Sequence, residues 1–190
     1  MKKRSLVFSV GTFLIAALSS VAGTTQAVQL SDGTVFFTSP PRLEGASTTQ
    51  NYIRAWSVTY YFTLSIPENS GEPLQKVTIA QNEGTDTVRF SLKETEAFEG
   101  TRGHLGAKVP IGDVTSDSKT KAVTVAFNPP IPSGKTVTIA LAPRENPAYS
   151  GVYLFGVTAF PPGEKSHGQF LGFGRLSIYD SGPNFFFRFR

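Results

Sequence analysis

Residues 58–66 read VTYYFTLSI. Val58, Tyr60, Phe62, Leu64 and Ile66 share one parity, and Thr59, Tyr61, Thr63 and Ser65 the other. Successive side chains of a strand point to opposite faces, so the stretch predicts a strand with one face in a core and one toward solvent. The pattern recurs at Val77/Ile79, Val88/Phe90/Leu92, Val123/Val125/Phe127 and Val137/Ile139/Leu141, with Lys76, Thr78, Arg89, Ser91, Thr124, Thr136 and Thr138 on the opposite parities. β-Branched and aromatic residues fill these runs because they suit a pleated, half-buried surface. Thr34–Thr38 (TVFFT) adds a first strand.

Turn chemistry separates the runs. Pro67-Glu68-Asn69-Ser70-Gly71-Glu72-Pro73, Pro129-Pro130-Ile131-Pro132-Ser133-Gly134 and Pro161-Pro162-Gly163 each lie between two strands, and Asp117-Ser118-Lys119 tips a hairpin. Proline fixes φ at such sites and glycine admits positive φ. Only Leu92–Glu99 has room for a helical turn or two, and Glu94, Glu96 and Glu99 form no amphipathic face there. Many short strands with regular turn signals predict an all-β fold, an antiparallel β-sandwich of immunoglobulin-like or Greek-key type over residues 28–180. The chain has no cysteine, so packing without a disulfide must join the sheets.

One stretch departs from alternation. Val152–Phe160 (VYLFGVTAF) is apolar on both parities, which predicts a central strand with its second face covered. Where the chain termini leave that face open, Tyr153, Phe155 and Val157 are the expected partner-contact residues. Downstream, Gly172 and Gly174 share a parity. Glycine weakens a strand, so the pair is expected to make room for a ring such as Phe155 or Trp56.

The formal charge of +4 comes from 18 Lys+Arg against 14 Asp+Glu. Lys2, Lys3 and Arg4 precede an uncharged, mostly apolar run from Leu6 to Leu18, and small residues follow. Basic start, short apolar run and small-residue exit predict a secretory signal peptide over residues 1–27, cut after Ala22 or Ala27, with an uncleaved anchor as the alternative. Without it the chain carries 15 basic and 14 acidic residues, and residues 28–187 carry 13 and 14. That balance leaves no electrostatic footprint for nucleic acid.

No constellation predicts catalysis or a cofactor. His104 and His167 stand far apart in Gly-rich loops, without the ligand spacing a zinc site needs. Gly112–Ser118 offers Asp113 and Asp117 but lacks the EF-hand order, and reads as a hairpin turn. There is no G-x-S-x-G elbow, and Glu94, Glu96 and Glu99 read as a solvated acidic loop rather than a glycosidase pair. Tyr52, Trp56, Tyr60, Tyr61, Tyr149 and Tyr153 are candidates for a sugar-stacking platform. The competing expectation puts Tyr60 and Trp56 in core or edge packing and leaves Tyr61 and Tyr149 exposed. The tail, residues 181–190, alternates Phe187 and Phe189 with Arg188 and Arg190. It reads as a frayed end or as an aromatic-basic contact for a weak peripheral membrane association or a partner's sheet edge.

The chain resembles a family of secreted cyanobacterial proteins known only as a domain of unknown function. The resemblance rests on Thr34–Leu43 (TVFFTSPPRL), Thr59–Gln81 (TYYFTLSIPENSGEPLQKVTIAQ), Thr95–Thr101 (TEAFEGT) and above all Gly151–Tyr179 (GVYLFGVTAFPPGEKSHGQFLGFGRLSIY). It implies an exported, envelope-associated protein and supplies no site residues. The sequence thus predicts a non-catalytic structural or interaction module of the periplasm or cell envelope, whose partner is an envelope protein or, alternatively, an envelope polysaccharide. A hydrolase with a site scattered over distant loops is a third reading.

Overall fold

The computed structural model describes residues 28–29 and 32–180. The expected signal peptide and the tail with Phe187 and Phe189 lie outside the described residues. Two antiparallel sheets of five strands face each other. The strands are β3 (Arg42–Thr48), β4 (Tyr60–Ser65), β5 (Leu74–Glu83), β6 (Glu96–Thr101), β7 (His104–Lys108), β8 (Ile111–Asp117), β9 (Ala122–Ile131), β10 (Thr136–Leu141), β11 (Gly151–Phe160) and β12 (Gln169–Ile178), preceded by a small ribbon of β1 (Val28–Gln29) and β2 (Val35–Phe36). One sheet has the order β3-β4-β10-β6-β7, the other β12-β11-β5-β9-β8. The chain changes sheets from β4 to β5, β5 to β6, β7 to β8, β9 to β10 and β10 to β11, so sequence neighbours repeatedly face each other across the core.

The alternating residues fill that core as predicted. Tyr60, Phe62 and Leu64 from β4, Val77 and Ile79 from β5, Val125 and Phe127 from β9, and Val137, Ile139 and Leu141 from β10 are all buried. No disulfide ties the sheets; four rings do. Phe155 on β11 meets Phe62 and Tyr60 on β4 edge to face at centroid distances of 5.8 and 5.9 Å, and Phe90 closes the cluster. Edge-to-face pairs add about 0.5–1.5 kcal/mol each beyond their burial.

Several details differ from the sequence reading. The expected strand over Val88–Leu92 is an irregular segment with one bridge, Phe90 to Pro143, then a single 3₁₀ turn at Leu92–Glu94. Buried Gln81 takes the Val88 N–H that a ladder would have used. β9 runs through Pro129 and Pro130 instead of ending before them. Those residues bulge out of the ladder with β5, and the Gln75 side chain donates to the Phe127 carbonyl at 2.6 Å. Gly112–Asp117 is strand rather than turn, and the hairpin tip falls at residues 118–121. Glu96 and Glu99 lie on β6, ion-paired with Lys108 and Lys135, not in a loop. Thr63 and Thr138, expected toward solvent, are buried, and their hydroxyls bond each other at 2.9 Å.

Gly174 does make room for a ring, but the ring is Phe62. A Cβ at 174 would stand 2.9 Å from Phe62 Cε1 and 2.7 Å from the Ala46 methyl. Gly172 has open space around it and instead supplies a φ of +116° beside the β11–β12 bulge.

Candidate functional site

At one end of the sandwich the loops after β3, β5 and β10 gather, and buried polar side chains lock them together. Asn146, in the β10–β11 loop, is 1 % exposed. Its Nδ2 donates to the carbonyls of Gln50 and Tyr52 at 3.0 and 2.7 Å, and its Oδ1 accepts from the Tyr60 hydroxyl at 2.8 Å. The backbone adds Asn146 N–H to the Ala55 carbonyl and Arg54 N–H to the Pro147 carbonyl. Buried Gln81 donates to the Asp86 carbonyl and accepts from Val88 N–H, which fixes the loop after β5. The Tyr153 hydroxyl donates to the Tyr149 carbonyl at 2.8 Å. Burial pushes the Tyr60 hydroxyl well above the ordinary tyrosine range, with Tyr153 close by adding to it. Tyr153 is raised as well, by burial first and then by the Asp86 charge. Both hydroxyls therefore stay neutral donors at physiological pH.

Between these loops opens a cleft of about 650 Å³, lined by Arg54, Asp86, Arg89, Arg144, Asn146 and Ala148 among others. The bridge between Phe90 and Pro143, with Arg144 N–H donating to the Arg89 carbonyl at 2.9 Å, sets Arg89 beside Arg144. Arg54 joins from the β3–β4 loop with a left-handed φ of 51°, a conformation non-glycine residues seldom adopt. A second cleft of about 550 Å³ adjoins at Arg89 and Arg144 and continues to Asp117 and Lys121. Asp86 spends its oxygens on the N–H groups of Thr87 and Ala148. Asp117 accepts from Lys119 N–H, and this and the Thr120 side chain hold its carboxyl below the usual range. The two ion pairs among the described residues, Lys108–Glu96 and Lys135–Glu99, are on β6 and its neighbours, so the three arginines are left without a paired carboxylate.

Among the described residues, most of the exposed aromatic surface lies at this end, on these loops and just past β12. Tyr52, Trp56, Tyr149 and Tyr179 are each more than half exposed. Tyr52 bridges Tyr179, and the Gln50 side chain holds the Trp56 carbonyl. The remaining large exposed rings, Phe170 and Phe173, stack on each other on edge strand β12.

Of the sugar-platform candidates, Tyr52, Trp56 and Tyr149 lie exposed at this end, whereas the residues predicted for partner contact fall elsewhere. Tyr153, Phe155 and Val157, expected as a partner-contact face, point between the sheets and are at most 1 % exposed. They are core because the facing sheet covers their side of β11; the other side carries Val152, Leu154, Thr158 and Phe160. Trp56, a platform candidate with packing as the competing expectation, is the most exposed aromatic of the loop end; Tyr149 is exposed and Tyr60 is core, both as expected. His104 pairs with Thr101 on an exposed strand, His167 stacks on Phe36 at 4.7 Å, and neither lines a cleft. Among the described residues no three His, Asp or Glu side chains converge as metal ligands. Sequence reasoning missed Arg54, Arg89, Arg144 and Asn146. The arginines are scattered and meet only through the topology, and the one local signal was the turn-forming Arg144-Glu145-Asn146-Pro147.

A family model described as "Protein of unknown function (DUF2808)" matches residues 34–178. No curated protein matches the chain. Among solved structures it is similar to the C-terminal domain of the Streptococcus pyogenes antigen I/II-family protein AspA, at 10 % identity over 73 % of this chain and 46 % of that one, with a TM-score of 0.45. It is also similar to the collagen-binding domain of a Staphylococcus aureus adhesin (11 % identity, 64 % and 87 % covered, TM-score 0.36). A third is BslA, a bacterial hydrophobin (14 % identity, 74 % and 99 % covered, TM-score 0.41). The chain thus spans less than half of the AspA structure.

Proposed function

The chain belongs to the DUF2808 family of proteins of unknown function, and we propose that it is a non-catalytic, exported interaction module of the periplasm or cell envelope that engages its partner through the loop end of the sandwich. The carrying observation is the set of exposed rings Tyr52, Trp56 and Tyr149 on loops pinned from below by Asn146, with Tyr179 beside Tyr52 at the end of β12. Apolar rings held in the open on a pre-ordered frame bind without first ordering a loop, which lowers the entropic cost of association. Export rests on residues 1–27, whose basic start and apolar run have the layout of a signal peptide.

The aromatic end favours a polysaccharide of the envelope over an envelope protein, since flat exposed rings stack on sugar faces. The purified protein is screened on a glycan array and by pull-down from envelope extract. Retention on a glycan that falls with Trp56→Ala and Tyr149→Ala supports this reading; a protein partner whose capture ignores both changes overturns the polysaccharide form. Failure to bind any envelope component overturns the proposal itself. Sequencing the N-terminus of the exported protein tests the address, with Gly23 or Val28 as the expected first residue.

A further inference from the structure

We infer that the cleft of Arg54, Arg89 and Arg144 is a subsite for the acidic groups of an anionic polysaccharide, an inference that rests on the polysaccharide reading above. Three features of the molecule carry it. First, three arginines from three separate segments line one cleft. Residues 28–187 carry 13 basic against 14 acidic residues, so this convergence does not reflect a generally basic surface.

Second, the local charges are arranged unequally. Asp86 turns its oxygens to the N–H groups of Thr87 and Ala148, and Asp117 turns to that of Lys119. Glu145 is the acidic lining residue that remains. Arg54, Arg89 and Arg144 have no carboxylate within ion-pair distance among the described residues. An arginine presents a planar fork of donors that suits carboxylate or sulfate oxygens two at a time. Backbone bonding of the carboxylates leaves those forks available to a ligand.

Third, the shape suits a polymer. The two clefts meet along Thr87, Val88, Arg89 and Arg144, and each lies within the usual 300–1,000 Å³ range of small-ligand sites. Their sequence along the surface accommodates successive sugar residues, with Lys121 extending the positive charge into the second cleft. Tyr149 follows Ala148 directly from the cleft wall, and Trp56 lies two residues beyond Arg54, so stacking rings and acid-binding forks sit on the same loops. Arg54 also holds a left-handed backbone that non-glycine residues seldom adopt, which Pro147 and Asn146 anchor from the opposite loop.

Affinity electrophoresis of the purified full chain tests this with polygalacturonate, dextran sulfate and neutral dextran as probes. The two acidic probes separate carboxylate from sulfate recognition. Either acidic polymer is expected to retard the protein at least tenfold more effectively than neutral dextran. The triple change Arg54→Gln, Arg89→Gln and Arg144→Gln is expected to remove that preference, while Lys93→Gln with Lys165→Gln, placed elsewhere, keeps it. Thermal melts verify that each variant is folded, and single arginine variants serve if the triple one is not. Equal loss in the lysine control overturns the inference in favour of nonspecific charge attraction. Neutral dextran bound as well as the acidic polymers, with dependence on Trp56 intact, overturns the subsite but leaves the polysaccharide reading standing. No retardation by any probe, alongside a negative glycan array, overturns both.

Discussion

The Tyr60 hydroxyl and the Asn146 carboxamide, 86 residues apart, meet at 2.8 Å inside the sandwich, and this bond joins a core strand to the loops at one end of it. Tyr60 supplies its ring to the aromatic cluster and its hydroxyl to the loops, so core packing and site geometry share one side chain. Asn146 passes the constraint on through the Gln50 and Tyr52 carbonyls. Removing the carboxamide orphans those carbonyls and the hydroxyl, and unsatisfied buried groups cost about 1–3 kcal/mol each, offset where water enters. Asn146→Ala is therefore expected to destabilise the protein by about 2–3 kcal/mol in urea unfolding and to speed amide exchange across residues 50–56. Unchanged exchange there would remove Asn146 from its anchoring role.

The same two buried hydroxyls predict the response to alkali. Burial raises Tyr60 and Tyr153 in the folded state above the ordinary value of 10.0. Their neutral forms then favour folding fully below about pH 10, and the contribution falls as pH rises past the unfolded value through the folded one. Urea midpoints are expected to be level from pH 8 to 9.5 and to drop above pH 10. The double variant Tyr60→Phe with Tyr153→Phe, less stable at pH 8, loses much of that drop; an equal slope in both proteins would assign it to other groups.

The sandwich was legible because alternation records which face is buried, and burial between two sheets is the dominant force in this fold. Val58–Ile66 and Val137–Leu141 placed their residues in the core without reference to any distant contact. The face of β11 was misread for a related reason. Apolar residues on both parities predict two covered sides, whereas the outer side of β11 is exposed at Val152 and only half-buried at Leu154, Thr158 and Phe160; parity alone does not say which side meets the opposite sheet, and Tyr153, Phe155 and Val157 are the inner set. Val88–Leu92 alternates yet lacks a full ladder, because backbone bonding to Gln81 and the residues near Pro143 replaces strand pairing. The cleft was hidden for a topological reason: Arg54, Arg89 and Arg144 share no local pattern and are brought together by loops entering from both sheets.

Phe155 is the ring on which the two sheets converge. It is fully buried and stacks edge to face with Tyr60, Phe62 and Phe90. With no disulfide in the chain, its removal leaves a cavity at the sheet-to-sheet contact. Phe155→Ala is expected to cost about 3–5 kcal/mol, the usual range for deleting a buried phenyl ring. Phe170→Ala, with its half-exposed ring on β12, is expected to change stability by less than about 1 kcal/mol. Comparable losses from the two changes would mean that the outer stack of Phe170 and Phe173 bears as much of the fold as the core does.

Gly174 marks where β12 closes against β3, with the Phe62 ring of β4 reaching in. Its partner across the ladder with β11 is Phe155, and the space its missing Cβ leaves is filled by Phe62 and Ala46 from the facing sheet. A methyl group at 174 would meet Ala46 at 2.7 Å and Phe62 at 2.9 Å, closer than side chains tolerate, and both neighbours are themselves held by the core. Overpacking of this kind costs about 1–3 kcal/mol. Gly174→Ala is expected to fall in that range and Gly174→Val above it. The cause is separable by a double-mutant cycle: Phe62→Leu shortens the obstructing ring, so Gly174→Ala introduced into that background should cost at least 0.5 kcal/mol less, roughly the smallest coupling expected of contacting residues. Strict additivity would place the obstruction at Ala46, the nearer contact, and not at the ring that lies over the glycine.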